Sequence, residues 1–542
     1  MNQSIANEDV NHEAPLCAVT NQTSAMAVAD GKLLTVPKVT SYEEDGIGTF
    51  TIGATSGLVL LLNDFTAGNN EAELVVQLVC SAFAAKSVPD SSVLPVVPAT
   101  EVNVQSGDVV FRLTGLDGSE SVRITIGKNI EIEASSLRGL LYGGRTVLQL
   151  AISTGNRIPT GVIVDRPVIS ERAVHVDVGR KFFTKEWMLN QIRDFSWMKY
   201  NTLQIHFSEN EGFRIESESH PEVMSDEYWT KAEVREILAL AKRYQMDVIP
   251  SLDSPGHLQQ ALSRHPDYCL PDSNGERITT ALDITNTDAR NFVKELLDEY
   301  ADLFVDSKYF HMGADEFIVF DKYSNYPKLE EYAKVKLGQS ATGVDTFYDY
   351  INDIAEHLEK LGFVVRAWND GLYRIGQAYV VELKKSIEIC YWTSWDPNMA
   401  AVQTFLDEGH TVINYNDAYF YYVLGETAGY TYPTAEKIFD AWSPGLFPSR
   451  NSQVGSDTKQ EYEYPYSEVG GTSFSIWCDK PEDQTEAEIA RGLYEPLRAK
   501  IERDWNGKAT VVAYEEFKTL FNRIGRAPGY DEALPDSGDI VR

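Results

Sequence analysis

The chain has 542 residues, with 81 Asp or Glu against 48 Lys or Arg, a formal net charge of −33. Binding to nucleic acid through a basic face requires Lys and Arg to displace counterions from phosphates, so that class is ruled out, and an anionic membrane surface is disfavoured for the same reason of sign. A neutral, cationic or small partner remains, and an uncharged sugar fits.

At 43% hydrophobic and 24% charged residues, the composition is that of a globular protein able to bury a large core. The length suggests about three to four domains, unless one of them is a barrel, which can run past about 250 residues as a single unit. The 28 Tyr and 9 Trp suit a carbohydrate site, although core packing accounts for most of them. Five widely spaced cysteines, Cys17, Cys80, Cys269, Cys390 and Cys478, form no CxxC pair, so neither a disulfide framework nor a zinc knuckle is indicated. The start, MNQSIANEDVNHEAP, lacks a basic and then apolar leader, and no run of 18 apolar residues follows. A cytoplasmic enzyme is the expectation.

In chain order, the β-branched runs 56–62, 74–80, 109–115 and 121–127 read as strands, followed by a helix over 136–151. This is a small α+β unit, and the segment 157–170 with its two prolines closes it. Short apolar strands then alternate with helical segments, the order that yields a parallel sheet. The strands are expected at 173–178, 202–207, 246–252, 308–313, 363–368, 387–392, 411–416 and 472–477, with helices at 184–200, 230–245, 290–304 and 345–361. Eight strands close an α/β barrel of the (β/α)8 TIM type. The expected division is therefore an N-terminal α+β domain over 1–168, the barrel over 169–506 and a C-terminal helical extension over 507–542. The loop 425–470 is long enough to be a functional cover.

Barrels of this kind carry their chemistry at the C-terminal ends of the strands. Those ends hold Asp177 with Arg180, His206 with Glu209, Asp253 with His257, His311 with Asp315 and Glu316, Trp368 with Asn369 and Asp370, Trp392, the tyrosines 419–422, and Trp477 with Asp479. The adjacent carboxylates Asp315 and Glu316 cannot both point the same way, so one can give a proton while the other stays ionised, as glycoside cleavage requires. A solvated acidic loop is the competing reading of a lone Asp-Glu pair, but its place after a strand with His311 argues against it. The turn 253-DSPGH-257 brings Asp253 and His257 together as a carboxylate–imidazole pair. A metal held by His206, His257, His311 and Asp315 is discounted for want of HxH or HExxH spacing. Trp368, Trp392 and Trp477 each end a strand and would wall one pocket.

These motifs resemble glycoside hydrolase family 20, the β-N-acetylhexosaminidases. The block 176-VDVGRKFF-183 is similar to the family's D-x-x-R-x-F/Y, 253-DSPGH-257 to its D-x-P-G-H, and 311-HMGADE-316 to its H-x-G-x-D-E signature. The segments 367–373, 391–392, 416–425 and 476–479 look like the family's aromatic pocket, and the likeness covers roughly 170–505. The resemblance implies a retaining mechanism in which the substrate's 2-acetamido group is the nucleophile, with no metal and no organic cofactor. It implies Glu316 as general acid, Asp315 and Tyr421 on the acetamido group, Arg180 on the 3- and 4-hydroxyls, Asp479 on the outer hydroxyls, and the three tryptophans around the ring. Asp253, His257 and His311 would tune Glu316. The implied partner is a small oligosaccharide cut at its non-reducing end. Three departures stand out: 209-ENEGF-213 where the family often has D-D-Q-G-W, Asp479 for a common Glu, and Ala314 for a common Gly. The subgroup pattern also admits a lacto-N-biosidase, although Arg180 reading the 3-hydroxyl favours release of a single sugar, and the 209–211 departure admits a catalytically silent glycan binder. So acidic a chain is also expected to act poorly on sulfated or sialylated ends.

Overall fold

The computed structural model describes residues 33–61, 70–88, 96–99, 104–456, 458–507 and 512–533; Cys17 lies outside them. The N-terminal part is a seven-stranded mixed sheet of β1 (Ser41–Phe50), β2 (Leu58–Leu61), β3 (Val96–Ala99), β4 (Val109–Leu113), β5 (Val122–Ile126), β6 (Ile130–Ala134) and β7 (Ile158–Asp165), in the order β1-β7-β5-β6-β4-β2-β3. The expected strand at 74–80 is instead the middle of a helix, Asn70–Ala85. Its buried residues Ala72, Val75, Val76, Val79 and Phe83 recur at three- and four-residue steps, the stripe of an amphipathic helix. That period outweighs the β-branched content of the short run.

The expected helix at 136–151 is Leu137–Thr154, started by Ser136, whose side chain accepts from the Gly139 N–H. It lies close on the sheet and on the first helix: a Cβ at Gly143 would stand 2.4 Å from Ile132 Cγ2, and one at Gly144 2.7 Å from both Val79 methyls. Two bare backbones are therefore the condition of this three-layer contact.

The eight expected barrel strands all form, as β8 (Arg172–Asp177), β9 (Thr202–His206), β10 (Asp247–Ser254), β13 (Tyr309–Gly313), β14 (Val364–Trp368), β15 (Glu388–Tyr391), β16 (Val412–Asn414) and β18 (Gly471–Trp477). All neighbours are parallel, and β18 pairs with both β16 and β8, which closes the barrel. A hairpin of β11 (Cys269–Pro271) and β12 (Arg277–Leu282) follows β10, and β17 (Tyr421–Val423) adds to β18 at the rim. β8 and β18 are buried at every position, as strands covered on both faces must be. Near the strand starts the buried Arg366 is clamped by Glu171 at 2.7 Å through both terminal nitrogens, with Glu388 at 2.9 Å.

Asp165, at the end of β7, accepts from Trp505 Nε1 at 2.7 Å and pairs with buried Lys199 at 2.8 Å. This fixes the sheet against the barrel and against the helix Tyr494–Asn506. No helix among the described residues is long and apolar enough to cross a membrane.

Candidate active site

Parallel strands deliver their last residues to one rim. A cavity of about 550 Å³ opens there, and residues from the ends of β8, β9, β10, β13, β14, β15, β17 and β18 line it. Its walls are aromatic. Trp392 and Tyr421 stack at 5.7 Å with planes 2° apart, Tyr421 lies 5.8 Å from Trp477, and Trp477 lies 6.1 Å from Trp368. Trp392 Nε1 donates to Asp370 at 3.1 Å. Among the neighbouring tyrosines, Tyr421 faces the cavity, whereas the Tyr422 hydroxyl turns away to Gln484. The loop 425–470 contributes Ala428, Gly429 and Tyr430 to the lining, and the Tyr430 hydroxyl is tied to Asp417 at 3.1 Å. Trp395 stands at the mouth, 62% exposed.

The carboxylates come from a strained turn after β13. Gly313, Ala314 and Glu316 have φ of 81°, 76° and 42°, a region that L side chains avoid, and such strain is held where the surroundings over-determine the backbone. Here Ala314 N donates to Ser254 O at 3.0 Å, Glu316 N to Asp370 Oδ2 at 3.1 Å, and a Cβ at 313 would meet Asp253 Cα at 2.8 Å. The turn sets Asp315 Oδ2 and Glu316 Oε2 each 3.4 Å from His257 Nε2. Both thus approach one imidazole, and they differ in depth rather than direction: the Asp315 side chain is 12% exposed and that of Glu316 56%.

Glu209 organises the other side of that imidazole. It accepts from His257 Nδ1 at 2.9 Å, from His206 Nε2 at 3.2 Å and from Arg180 Nη2 at 2.8 Å. Burial opposes its charge, yet Arg180 and His257 hold its carboxyl well below the usual range. Burial likewise disfavours the His257 imidazolium, but Glu209 and Asp315 raise it well above the ordinary imidazole value. Burial and the neighbouring Asp253 push Asp315 well up, whereas the bond to His257 draws Glu316 down against its own burial. Asp370 is pushed up to about 6 by burial and by Glu316.

Arg180 holds Asp177 at 3.0 Å and Glu209 at 2.8 Å. Two terminal N–H groups remain for a ligand. Asp479 lines the cavity and accepts from Thr427 Oγ1 at 2.5 Å. Two expectations need correction. His257 takes Glu209 rather than Asp253 as its carboxylate, its Nδ1 lying 2.9 Å from Glu209 Oε2, the carboxylate delivered by the neighbouring strand β9; Asp253 lies 3.8 Å from His206 Nδ1 instead. His311 does not touch Glu316: it is buried against Trp368, ring centres 4.3 Å apart, and burial keeps it neutral. Glu209 and Asp370 were visible at strand ends but had no assigned role. Glu209 occupies the place where the 209–213 departure cast doubt on a supporting carboxylate.

The donor atoms of His206, Glu209 and Asp253 lie within 4.8 Å of one another, near enough for a metal. Arg180 and protonated His257 already neutralise Glu209, which sets two cations against a third.

Fold and site define a (β/α)8 barrel with neighbouring carboxylates at the base of an aromatic pocket, the layout of a glycoside-cleaving catalytic domain. The chain belongs to glycosyl hydrolase family 20, whose catalytic-domain model matches residues 170–508. It is 28% identical over 409 residues to the lacto-N-biosidase of Bifidobacterium bifidum, which takes in 75% of this chain and 35% of that protein. The chain thus spans about a third of that relative's length. Among solved structures it aligns with the β-N-acetylhexosaminidase of Bacteroides fragilis NCTC 9343 at a TM-score of 0.71 and 21% identity, covering 92% of this chain and 97% of the other. An exo β-N-acetylglucosaminidase of Vibrio harveyi, solved with N-acetylglucosamine, gives 0.70 and 18%, covering 92% and 77%. At these identities the structural likeness speaks for the fold.

Proposed function

We propose that the chain is an exo-acting β-N-acetylhexosaminidase that removes terminal, non-reducing β-linked GlcNAc or GalNAc, with the substrate's acetamide as nucleophile. The observation that carries this reading is the pair Asp315 and Glu316 on one imidazole, one carboxyl buried and one half exposed, at the base of the aromatic pocket.

Glu316 gives its proton to the glycosidic oxygen as the bond to the anomeric carbon breaks, and the acetamide carbonyl oxygen bonds to that carbon. Asp315 accepts the acetamide N–H, and Tyr421 donates to its carbonyl oxygen. Water then attacks the anomeric carbon, returns a proton to Glu316 and restores the acetamide. In the free site the two carboxyls are biased the other way, Asp315 raised by burial and Asp253, and Glu316 lowered beside His257. Substrate reverses it by two ordinary effects: an amide donor favours ionised Asp315, and a sugar covering half-exposed Glu316 removes the water that favoured its charge. Arg180 and Asp479 bind ring hydroxyls, and Trp368, Trp392 and Trp477 enclose the ring.

The test is hydrolysis of an aryl β-GlcNAc. Glu316→Gln is expected to lose about 10² or more in kcat, and a thiazoline that mimics the bicyclic intermediate is expected to inhibit. A fully active Glu316→Gln overturns the assignment. The likeness to a lacto-N-biosidase favours a second reading, release of a Gal-β-1,3-GlcNAc unit; preferential cleavage of the aryl lacto-N-bioside would decide for it. Arg180 on the cavity wall weighs against it, since a substituted O3 meets the guanidinium. The case for a silent binder weakens with Glu209 in contact with both histidines.

A further inference from the structure

Outside the pocket, two of the histidines converge on one carboxylate oxygen. His265 Nε2 lies 2.8 Å and His220 Nδ1 3.1 Å from Glu222 Oε1, and the three donor atoms fall within 4.8 Å of one another. We propose that His220, Glu222 and His265 form a binding site for a divalent transition-metal ion of the zinc class.

Three features of the cluster point to it. Two imidazoles and a carboxylate are the ligand set that zinc takes at open sites, at about 2.0–2.2 Å per bond, with water completing the tetrahedron. The second nitrogen of His220 is held by Glu295 Oε2 at 3.0 Å, the carboxylate–histidine arrangement that fixes the tautomer of a metal-binding imidazole. Finally, both rings are immobilised by packing. Phe292 lies 4.8 Å from each, and Tyr268 stacks on His265 at 5.2 Å with planes 4° apart. The side chains of His220, Glu222 and His265 are 16%, 35% and 23% exposed, so one flank is open to an incoming ion.

The site bridges the loop after β9 to the loop after β10, which also meet where Gln260 Nε2 donates to Val223 O and Met224 O at 3.1 and 3.2 Å. Those loops begin at Glu209 and His257, so the ion would staple the segments that carry the catalytic cluster.

The test is calorimetric titration of the chelator-treated full chain with Zn²⁺, alongside its melting temperature. One equivalent is expected to bind and to raise the melting temperature, with affinity weakened by about tenfold or more in His265→Gln and in Glu222→Gln. His357→Gln, which removes an imidazole paired with Asp298 elsewhere, is expected to bind as wild type does. Circular dichroism confirms that each variant is folded; if His265→Gln is not, His220→Gln takes its place. Absence of saturable uptake by the wild type overturns the site. So does unchanged affinity in the cluster variants, which would put the ion elsewhere, for example on His206, Glu209 and Asp253.

Discussion

Glu209 shows what residue-level reading yields and where it stops. A carboxylate three positions beyond His206 was legible as a strand-end group; its simultaneous hold on Arg180, His206 and His257 depends on where the two flanking strands, β8 and β10, end, which no local pattern encodes. The same holds for Asp253 and His257, whose sequence proximity suggested a pair, whereas Glu209 from the neighbouring strand takes the imidazole at 2.9 Å. Ala314, left-handed, pays about 1–2 kcal/mol of conformational strain in a turn locked by its neighbours. Asp315 yields a test with a worked sign. Its folded carboxyl is raised well above 3.8, so its stabilising contribution is complete below about pH 4, the unfolded range, and is lost as pH rises towards the folded value. Asp315→Asn, a permanent mimic of the neutral form, is therefore expected to melt higher than wild type at pH 7, with the gain vanishing near pH 4, while hydrolysis falls. A lower melting temperature at pH 7 would contradict the burial-driven shift.

At the scale of elements, all eight barrel strands were legible because each is a short apolar run, the first five of them alternating with helical periods. The miss at 74–80 came from a window too short to reveal the stripe that continues to Phe83. The loop 425–470 was legible as a cover, but its inner helix Ala435–Ala441 was not, since that seven-residue run is shorter than two full periods of a reliable pattern. Helix contact with the N-terminal sheet rests on Gly143. Ala there would gain about 1 kcal/mol of helix propensity, but a Cβ at 2.4 Å from Ile132 Cγ2 forces the layers apart at a cost of about 1–3 kcal/mol. Overpacking wins, so Gly143→Ala is expected to lower the melting temperature. An unchanged or higher value would mean that the helix shifts freely on the sheet.

For the whole molecule, the charge of −33 extends into the pocket, whose lining holds Glu209, Asp315, Glu316, Asp417 and Asp479 against Arg180 and His257. An anionic substituent near the reacting sugar meets this field. Aryl 6-sulfo-GlcNAc is expected to have a lower kcat/KM than aryl GlcNAc, with the gap narrowing as salt screens beyond about 10 Å. Equal rates at low salt would show that the acids are locally compensated. The central claim is that the substrate supplies the nucleophile, and the comparison of aryl β-GlcNAc with aryl β-glucoside, which lacks the acetamide, tests it most directly. An intramolecular nucleophile held in place predicts a kcat/KM for the GlcNAc glycoside greater by about 10² or more; comparable rates on the two substrates would place the nucleophile on the protein and contradict the assignment of Asp315 and Glu316.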